Sequence, residues 1–252
     1  MDKDLIRRRF TRAIGTYPKA ASVQQEIAYR MEGLLQGFCS PDNCGQVLEV
    51  GCGTGCFTRR LLETMRPGRL LINDICPDME ACFTDLLSAR VTFVAGDAEC
   101  CDFPAGNNLV VSCSALQWFE HPEAFLRRCG GLLADEGLLA FSTFGPDNLR
   151  EVSAVSGAGV VYSSVEELLD ALSAGFDILH AEEQCKELLF PSPLDVLRHL
   201  QQTGVTGLRR RWWTKSDLER FCSRYAECFG VGSDVCLTYH PIYVIAKKKI
   251  ER

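Results

Sequence analysis

The 252-residue sequence has no apolar run near the roughly 20 residues that a membrane-spanning helix needs, so no membrane association is expected. It has no internal repeat and no low-complexity tract, which excludes solenoid and other repeat architectures. No two cysteines stand in Cys-x-x-Cys spacing and only four histidines are present, so a structural metal site finds no support. A basic excess is missing as well: the net charge of −6 argues against nucleic acid as a partner. The opening MDKDLIRRRF carries charges where a secretion signal needs its apolar stretch, so a cytoplasmic location is expected.

What is present is an ordinary globular balance, 46% hydrophobic and 24% charged, enough for one sizeable domain with a full core. The fourteen cysteines read as reduced thiols serving as small apolar residues. The expected organisation is a single domain over 1–252. It comprises an N-terminal helical lid (1–40), an α/β core (41–190 and 235–249) and a helical insertion (191–234).

Between residues 46 and 145 short apolar runs alternate with helical patterns, the signature of a parallel sheet with crossover helices. The expected strands are Gln46–Val50, Arg69–Asn73, Val91–Ala95, Asn107–Cys113 and Gly137–Phe144. The expected helices between them are Cys56–Met65, Pro77–Leu87 and Pro122–Leu133. Ahead of this core Ile6–Phe38 reads as helical, with a break at Gly15–Pro18. Behind it come a helix near Ser164–Ala174, an extended run Ile178–Phe190, helices from Pro191 to about Thr203 and over Lys215–Cys228, and a long strand Val235–Lys247. The two extended runs can pair as an antiparallel edge, with Pro241 leaving that edge locally irregular.

The first strand runs straight into Gly51-Cys52-Gly53-Thr54-Gly55 and then a helix, a loop that lets a nucleotide-type ligand approach the backbone. Nicotinamide-binding loops look similar, but the dinucleotide form prefers glycine or alanine where Cys56 stands. Asp74 ends the second strand about 20 residues on, where a carboxylate accepts from ribose hydroxyls. Gly96-Asp97-Ala98 follows the third strand, where a carboxylate can take an adenine amino group. The fourth strand ends in Ser112-Cys113-Ser114-Ala115-Leu116-Gln117-Trp118. Asp74 and Asp97 could instead be helix caps or turn residues.

In this order, these elements resemble the class I S-adenosylmethionine-dependent methyltransferases. The resemblance implies a Rossmann-like α/β sheet, mostly parallel with an antiparallel C-terminal edge, and S-adenosyl-L-methionine as cofactor. It implies that Glu49 orients the methionine amino group, that Gly51, Gly53 and Gly55 pass the methionine, that Asp74 holds ribose, and that Asp97 with Ala98 holds adenine. Cys52, Thr54, Asn73, Ile75, Gly96 and Ser114 complete the expected cofactor site.

The flanking segments are more particular. Arg9-Phe10-Thr11-Arg12-Ala13 with Thr16-Tyr17, Ala115–Trp118, Phe141–Pro146 with Leu149-Arg150-Glu151, Pro191-Ser192-Pro193, and Leu237–His240 with Ile242-Tyr243 resemble the malonyl-acyl-carrier-protein O-methyltransferases of biotin synthesis from end to end. That resemblance implies methylation of the free carboxylate of a malonyl thioester. A carboxylate is already ionised at neutral pH and needs no general base, so the expected machinery is one of positioning.

Arg150 is the expected carboxylate anchor, because a guanidinium grips a carboxylate with two parallel bonds; otherwise it is a surface ion pair. Tyr17 is a second donor or a packing aromatic, and Gln117 and Trp118 should line the acceptor pocket. His240 reads as structural. Acyl carrier proteins are acidic, so Arg7, Arg8, Arg9 and Arg209, Arg210, Arg211, the latter followed by Trp212 and Trp213, are candidate landing sites; they could equally be solvated basic faces. A methyltransferase for another small carboxylate or phenol, an NAD-dependent oxidoreductase and a non-catalytic cofactor-binding protein remain alternatives.

Overall fold

The computed structural model describes residues 2–40, 44–205 and 214–250. Arg209–Arg211 with Trp212 and Trp213 lie outside the described residues.

Three helices lead the chain: α1 (Lys3–Ala13), α2 (Tyr17–Ala20) and α3 (Ser22–Gln36). Then come β1 (Gln46–Val50), α4 (Cys56–Thr64), β2 (Arg69–Asp74), β3 (Val91–Ala95), β4 (Asn107–Cys113), α5 (Pro122–Leu132) and β5 (Leu133–Phe144). These five strands run parallel in the order β3-β2-β1-β4-β5. Parallel strands need both faces covered. On one face Ile27, Met31 and Leu61 from α3 and α4 meet Val47, Ile72 and Val111. On the other, Phe125 and Leu126 from α5 and Leu168 from α7 (Val165–Leu172) meet Leu48, Val110 and Leu139. Each such large side chain stabilises the fold by roughly 1.5–3 kcal/mol on burial.

Two segments differ from expectation near the sheet. The stretch expected as a helix over 77–87 is a 3-10 turn, Pro77–Phe83, drawn inward so that the Phe83 ring lies against Gly55. Strand β5 starts four residues early, directly after α5, where Asn107 Nδ2 donates to Leu132 O at 2.9 Å.

The antiparallel edge is more divided than the sequence suggests. The run expected over 178–190 is two strands, β6 (Phe176–Glu183) and β7 (Lys186–Phe190). After α8 (Pro193–Gln202), α9 (Lys215–Phe229) and β8 (Gly230–Val231), the last run is likewise split into β9 (Asp234–Tyr239) and β10 (Pro241–Lys248). β10 pairs with β5 and β6 to finish a seven-stranded sheet, while β9 pairs with β7 and β8 in a separate three-stranded sheet.

The break falls at His240-Pro241, where proline has no N–H to donate. A side-chain corner secures it. His240 N donates to Asn148 Oδ1 at 3.2 Å, and His240 O accepts from Gly145 N at 2.7 Å. The corner carries the chain from one sheet to the other and fixes Asn148, just beyond β5. α6 (Arg150–Ser156) starts two residues later.

Candidate active site

The strand-to-helix loop after β1 is held by backbone geometry. Gly51 N and Cys52 N both donate to Asn73 O, at 2.8 and 2.9 Å, tying the loop to the end of β2. Gly51 has φ +74°, and a Cβ there would stand 2.2 Å from Ala115 Cβ, so no other residue fits. Gly53, at φ +53°, faces open space and lines the cavity above the loop. Its N–H donates to Asp74 Oδ2 at 2.9 Å, while Asp74 Oδ1 accepts from Cys76 N at 2.9 Å. Burial raises the Asp74 pKa, and these N–H groups offset part of the rise.

A cavity of about 470 Å³ opens above this loop, within the range of small-molecule sites. Of the expected cofactor residues, Glu49, Gly51, Cys52, Gly53, Thr54, Gly55, Asn73, Asp74, Ile75, Asp97, Ala98 and Ser114 line it. Gly96 is absent from that lining. It forms the turn behind, with Gly96 N donating to Asp74 O at 2.9 Å. Asn73 lines the cavity, yet its amide is committed to Val94 O and Gly96 O at 2.9 and 3.0 Å, joining the ends of β2 and β3.

Glu49 is the most informative wall residue. It is 1% exposed, and its Oε2 is buried with no protein partner. Burial, reinforced by the nearby Asp74 charge, pushes its pKa up to about 8. A lone buried carboxyl oxygen on a ligand cavity suits a cationic or N–H-bearing group brought by that ligand.

The lid lies across the cavity. Lys3 of α1 pairs with both Asp97 and Glu99, Thr11 Oγ1 donates to Asp78 Oδ2 at 3.0 Å, and Thr16 Oγ1 donates to Gln202 O of α8 at 3.1 Å. Asp97, expected at adenine, therefore shares its carboxylate with a lid lysine.

A second, smaller cavity of about 30 Å³ adjoins the first, sharing the walls Phe10, Tyr17, Gln24, Ser114 and Trp118. A water needs roughly 10–15 Å³ of such space, so the volume suits a group the size of a carboxylate. The structure brings Tyr17, Gln117 and Trp118 to it as expected positions, and adds Asn148, Tyr162 and Tyr239, which sequence reasoning did not single out as site residues. Burial pushes up the Tyr17 and Tyr239 phenols, keeping both protonated. Tyr239 Oη is 2.8 Å from His199 Nε2, an imidazole whose pKa burial lowers. Ser114 holds φ +55°, a strained backbone at the junction of the cavities, and its buried Oγ has no partner.

Arg150 lines neither cavity. Its guanidinium faces outward, 3.4 Å from Glu151 and 3.2 Å from Glu187. The expected cationic anchor is thus an ion pair on the outer face, and among the described residues no lysine, arginine or histidine lines the second cavity. His240 occupies the structural role foreseen for it: Nδ1 accepts from Asp147 N at 3.2 Å and Nε2 faces Glu183 Oε2 at 3.0 Å. Of the basic clusters, Arg7 pairs with Asp4 at 3.2 Å, and Arg8 is exposed on the lid helix.

A family model and three relatives agree on what the chain is similar to. Residues 47–137 match the model of a methyltransferase domain family. The chain is 50% identical over 260 residues to the malonyl-acyl-carrier-protein O-methyltransferase of Bacteroides thetaiotaomicron, covering 99% of both chains. It is 51% identical to the protein of that name from Bacteroides fragilis, over 98% of this chain, but spans only 51% of that longer relative. The Haemophilus influenzae protein of the same name is 37% identical over 98% of this chain and 95% of its own.

Among solved structures, the N-methyltransferase NodS of Bradyrhizobium japonicum, in complex with S-adenosyl-L-homocysteine, superposes with a TM-score of 0.58 at 14% identity, covering 97% of this chain and 99% of its own. The [4+2]-cyclase SpnF matches with a TM-score of 0.57 at 20% identity, covering 88% of this chain and 81% of its own. A fold that serves both a methyltransferase and a cyclase leaves the reaction to the site.

Proposed function

Because the chain belongs to the malonyl-acyl-carrier-protein O-methyltransferase family, we propose that it methylates the free carboxylate of a malonyl thioester on acyl carrier protein, using S-adenosyl-L-methionine and priming pimeloyl and biotin synthesis. The observation that carries this reading is the pairing of cavities: a large one with an unpartnered Glu49 carboxyl oxygen, and a carboxylate-sized one that shares its wall.

The residues fit the cofactor. Glu49 offers its free oxygen to an amino group, Gly53 leaves backbone-level space, and Asp74 retains acceptor capacity for a ribose diol after taking two N–H groups. Asp97 and Ala98, which also line the cavity, would hold the base. Bound S-adenosylmethionine supplies an electrophilic methyl group on a cationic sulfonium, so charge is lost as a carboxylate oxygen takes the methyl. Walls without formal charge favour that loss, and the second cavity has such walls among its described residues. The protein removes no proton from the acceptor; it excludes water with the lid and Trp118 and holds the reacting oxygen in place.

Acyl carrier protein completes the proposal as partner. Val205 lines the acceptor cavity and directly precedes the segment that carries Arg209–Arg211, while Arg7–Arg9 lie on the lid. Both basic clusters can receive an acidic carrier, and rim charges of this kind act chiefly on association rate. A cytoplasmic location and the absence of nucleic acid from the reaction belong to the same reading; the fourteen cysteines are free thiols, and no described helix is long and apolar enough to cross a membrane.

The direct experiment incubates the protein with methyl-labelled S-adenosylmethionine and malonyl-acyl-carrier protein. Label should appear in a base-labile ester on malonate. Transfer to free dicarboxylic acids but not to the thioester would redirect the assignment to another small-carboxylate methyltransferase. Charge reversal at Arg209–Arg211 should raise KM for the carrier substrate and spare S-adenosylmethionine binding.

A further inference from the structure

Asn148 and Tyr162 form a directed pair at the acceptor cavity. The amide of Asn148 is oriented unambiguously, since its Oδ1 accepts from the backbone N–H of His240 at 3.2 Å. Its Nδ2 must therefore be the atom facing Tyr162, and it donates to the phenol oxygen at 2.9 Å. A phenol whose oxygen is already accepting turns its own proton elsewhere. Among the described residues Tyr162 has no other hydrogen-bond partner, and its side chain lines the 30 Å³ cavity. The proton is thus available to a group inside that cavity.

We infer that Tyr162 is the hydrogen-bond donor that anchors the acceptor carboxylate, and that Asn148 is the positioning residue that turns the phenol proton toward it. The inference rests on the carboxyl-methylating reading above and deepens it by naming the anchor. A neutral donor suits this reaction better than a cation. It fixes one carboxylate oxygen while leaving the other nucleophilic, and the bond weakens when the charge disappears into the neutral ester, which favours product release. Burial holds the Tyr162 pKa up, at about 12, so the donor stays protonated across the working pH range. The corner at His240-Pro241, which splits the terminal strand, thereby also sets the direction of a substrate contact.

The test uses the full-length protein and malonyl-acyl-carrier protein, with binding of S-adenosylhomocysteine as a check on folding and on the first cavity. Tyr162→Phe should raise KM for the malonyl thioester roughly 10- to 100-fold, the range for losing a hydrogen bond to a charged group. Because that bond weakens toward the transition state, kcat should stay within about threefold, and homocysteine-ligand affinity within about twofold. Asn148→Leu removes the amide that turns the phenol without adding charge to the cavity wall; its KM should rise in the same direction, and the S-adenosylhomocysteine check reports whether the corner at His240 survives the loss of its acceptor. In the Tyr162→Phe background the same Asn148→Leu change should add little, since no phenol proton remains to be turned. An unchanged KM in Tyr162→Phe, or a full additional effect of Asn148→Leu in that background, overturns the inference. Failure of the wild-type protein to methylate the malonyl thioester overturns the function reading itself, so the two failures are distinguishable.

Discussion

The Phe10 ring of the lid meets the Trp118 indole edge-on, with centroids 5.4 Å apart and planes at 82°, so that one aromatic contact joins the N-terminal helix to the wall between the cavities. The ring is backed by Gly204, where a Cβ would lie 2.9 Å from it. Such an aromatic pair contributes about 0.5–1.5 kcal/mol beyond its buried area. Phe10→Ala should therefore loosen the lid, and S-adenosylhomocysteine should dissociate roughly 3- to 10-fold faster in stopped-flow displacement. Gly204→Ala should act in the same direction by displacing the ring, and its effect should shrink in the Phe10→Ala background. Equal effects in both backgrounds would show that Gly204 acts through its own φ of +76° instead.

Glu49 predicts a pH dependence whose sign follows from its raised pKa of about 8. In the ligand-free protein the unfolded chain ionises this group near the ordinary carboxyl value while the folded chain does not. The group's contribution to stability is present below about pH 4.5 and is lost as pH rises toward 8. Its titratable neighbours are Asp74 and the thiols of Cys52, Cys56 and Cys113. Thermal melting from pH 5 to 8 should fall more steeply in wild type than in Glu49→Gln. An ammonium group on the bound ligand favours the carboxylate, so binding should release close to one proton below pH 8. Calorimetry in buffers of different ionisation enthalpy measures that release, and Glu49→Gln should abolish it. Equal proton release in the variant would assign the linkage to another group.

The parts legible in the sequence are those that a contiguous segment specifies. The glycine loop, Asp74 and the apolar strands β1 to β5 each declare themselves within a few residues, because glycine φ and strand periodicity are local properties. The second cavity, proposed for the acceptor, is assembled from Tyr17, Ser114, Asn148, Tyr162 and Tyr239, which only tertiary packing brings together. Even the visible signal there, Leu237–His240 followed by Pro241, gave the irregular edge but not the sheet change or its tie to Asn148. Gly96 stands out in the sequence by its place in a motif, and the structure adds what the motif does not specify, a turn closed by its N–H on Asp74 O.

Asp74 has two tasks, and both draw on its two carboxylate oxygens. Its oxygens accept from Gly53 N and Cys76 N, each at 2.9 Å, and it faces the cavity where a ribose would lie. Asp74→Ala removes the loop support together with the charged acceptor, and S-adenosylhomocysteine affinity should fall roughly 10- to 100-fold. Asp74→Asn keeps one carbonyl oxygen but sets an amide N–H against a backbone N–H, so it should bind no better than the alanine variant. Titration calorimetry decides between the two. Full affinity in Asp74→Asn would mean that the carboxylate charge is not used and that one acceptor suffices.

Arg150 and Glu151 are neighbours in sequence with opposite environments, and substituting each gives a paired prediction. Successive helix positions lie about 100° apart, so the first turn of α6 sends one side chain out and the other in. Glu151 is 1% exposed, accepts from Thr238 N at 2.9 Å and also from the Thr238 hydroxyl. Arg150 is left half-exposed, with Glu187 as its outer partner. Exposed pairs of this kind contribute about 0–1 kcal/mol, whereas a buried donor left unsatisfied costs about 1–3 kcal/mol. Arg150→Ala should therefore leave kcat/KM for the malonyl thioester within about twofold and the melting temperature nearly unchanged. Glu151→Ala should lower the melting temperature by several degrees, because it strands Thr238 N at the start of the corner that holds Asn148. A tenfold or larger loss of kcat/KM in Arg150→Ala, at unchanged melting temperature, would instead mean that the guanidinium swings from Glu187 to the acceptor carboxylate during turnover, and the neutral-cavity account would then fail.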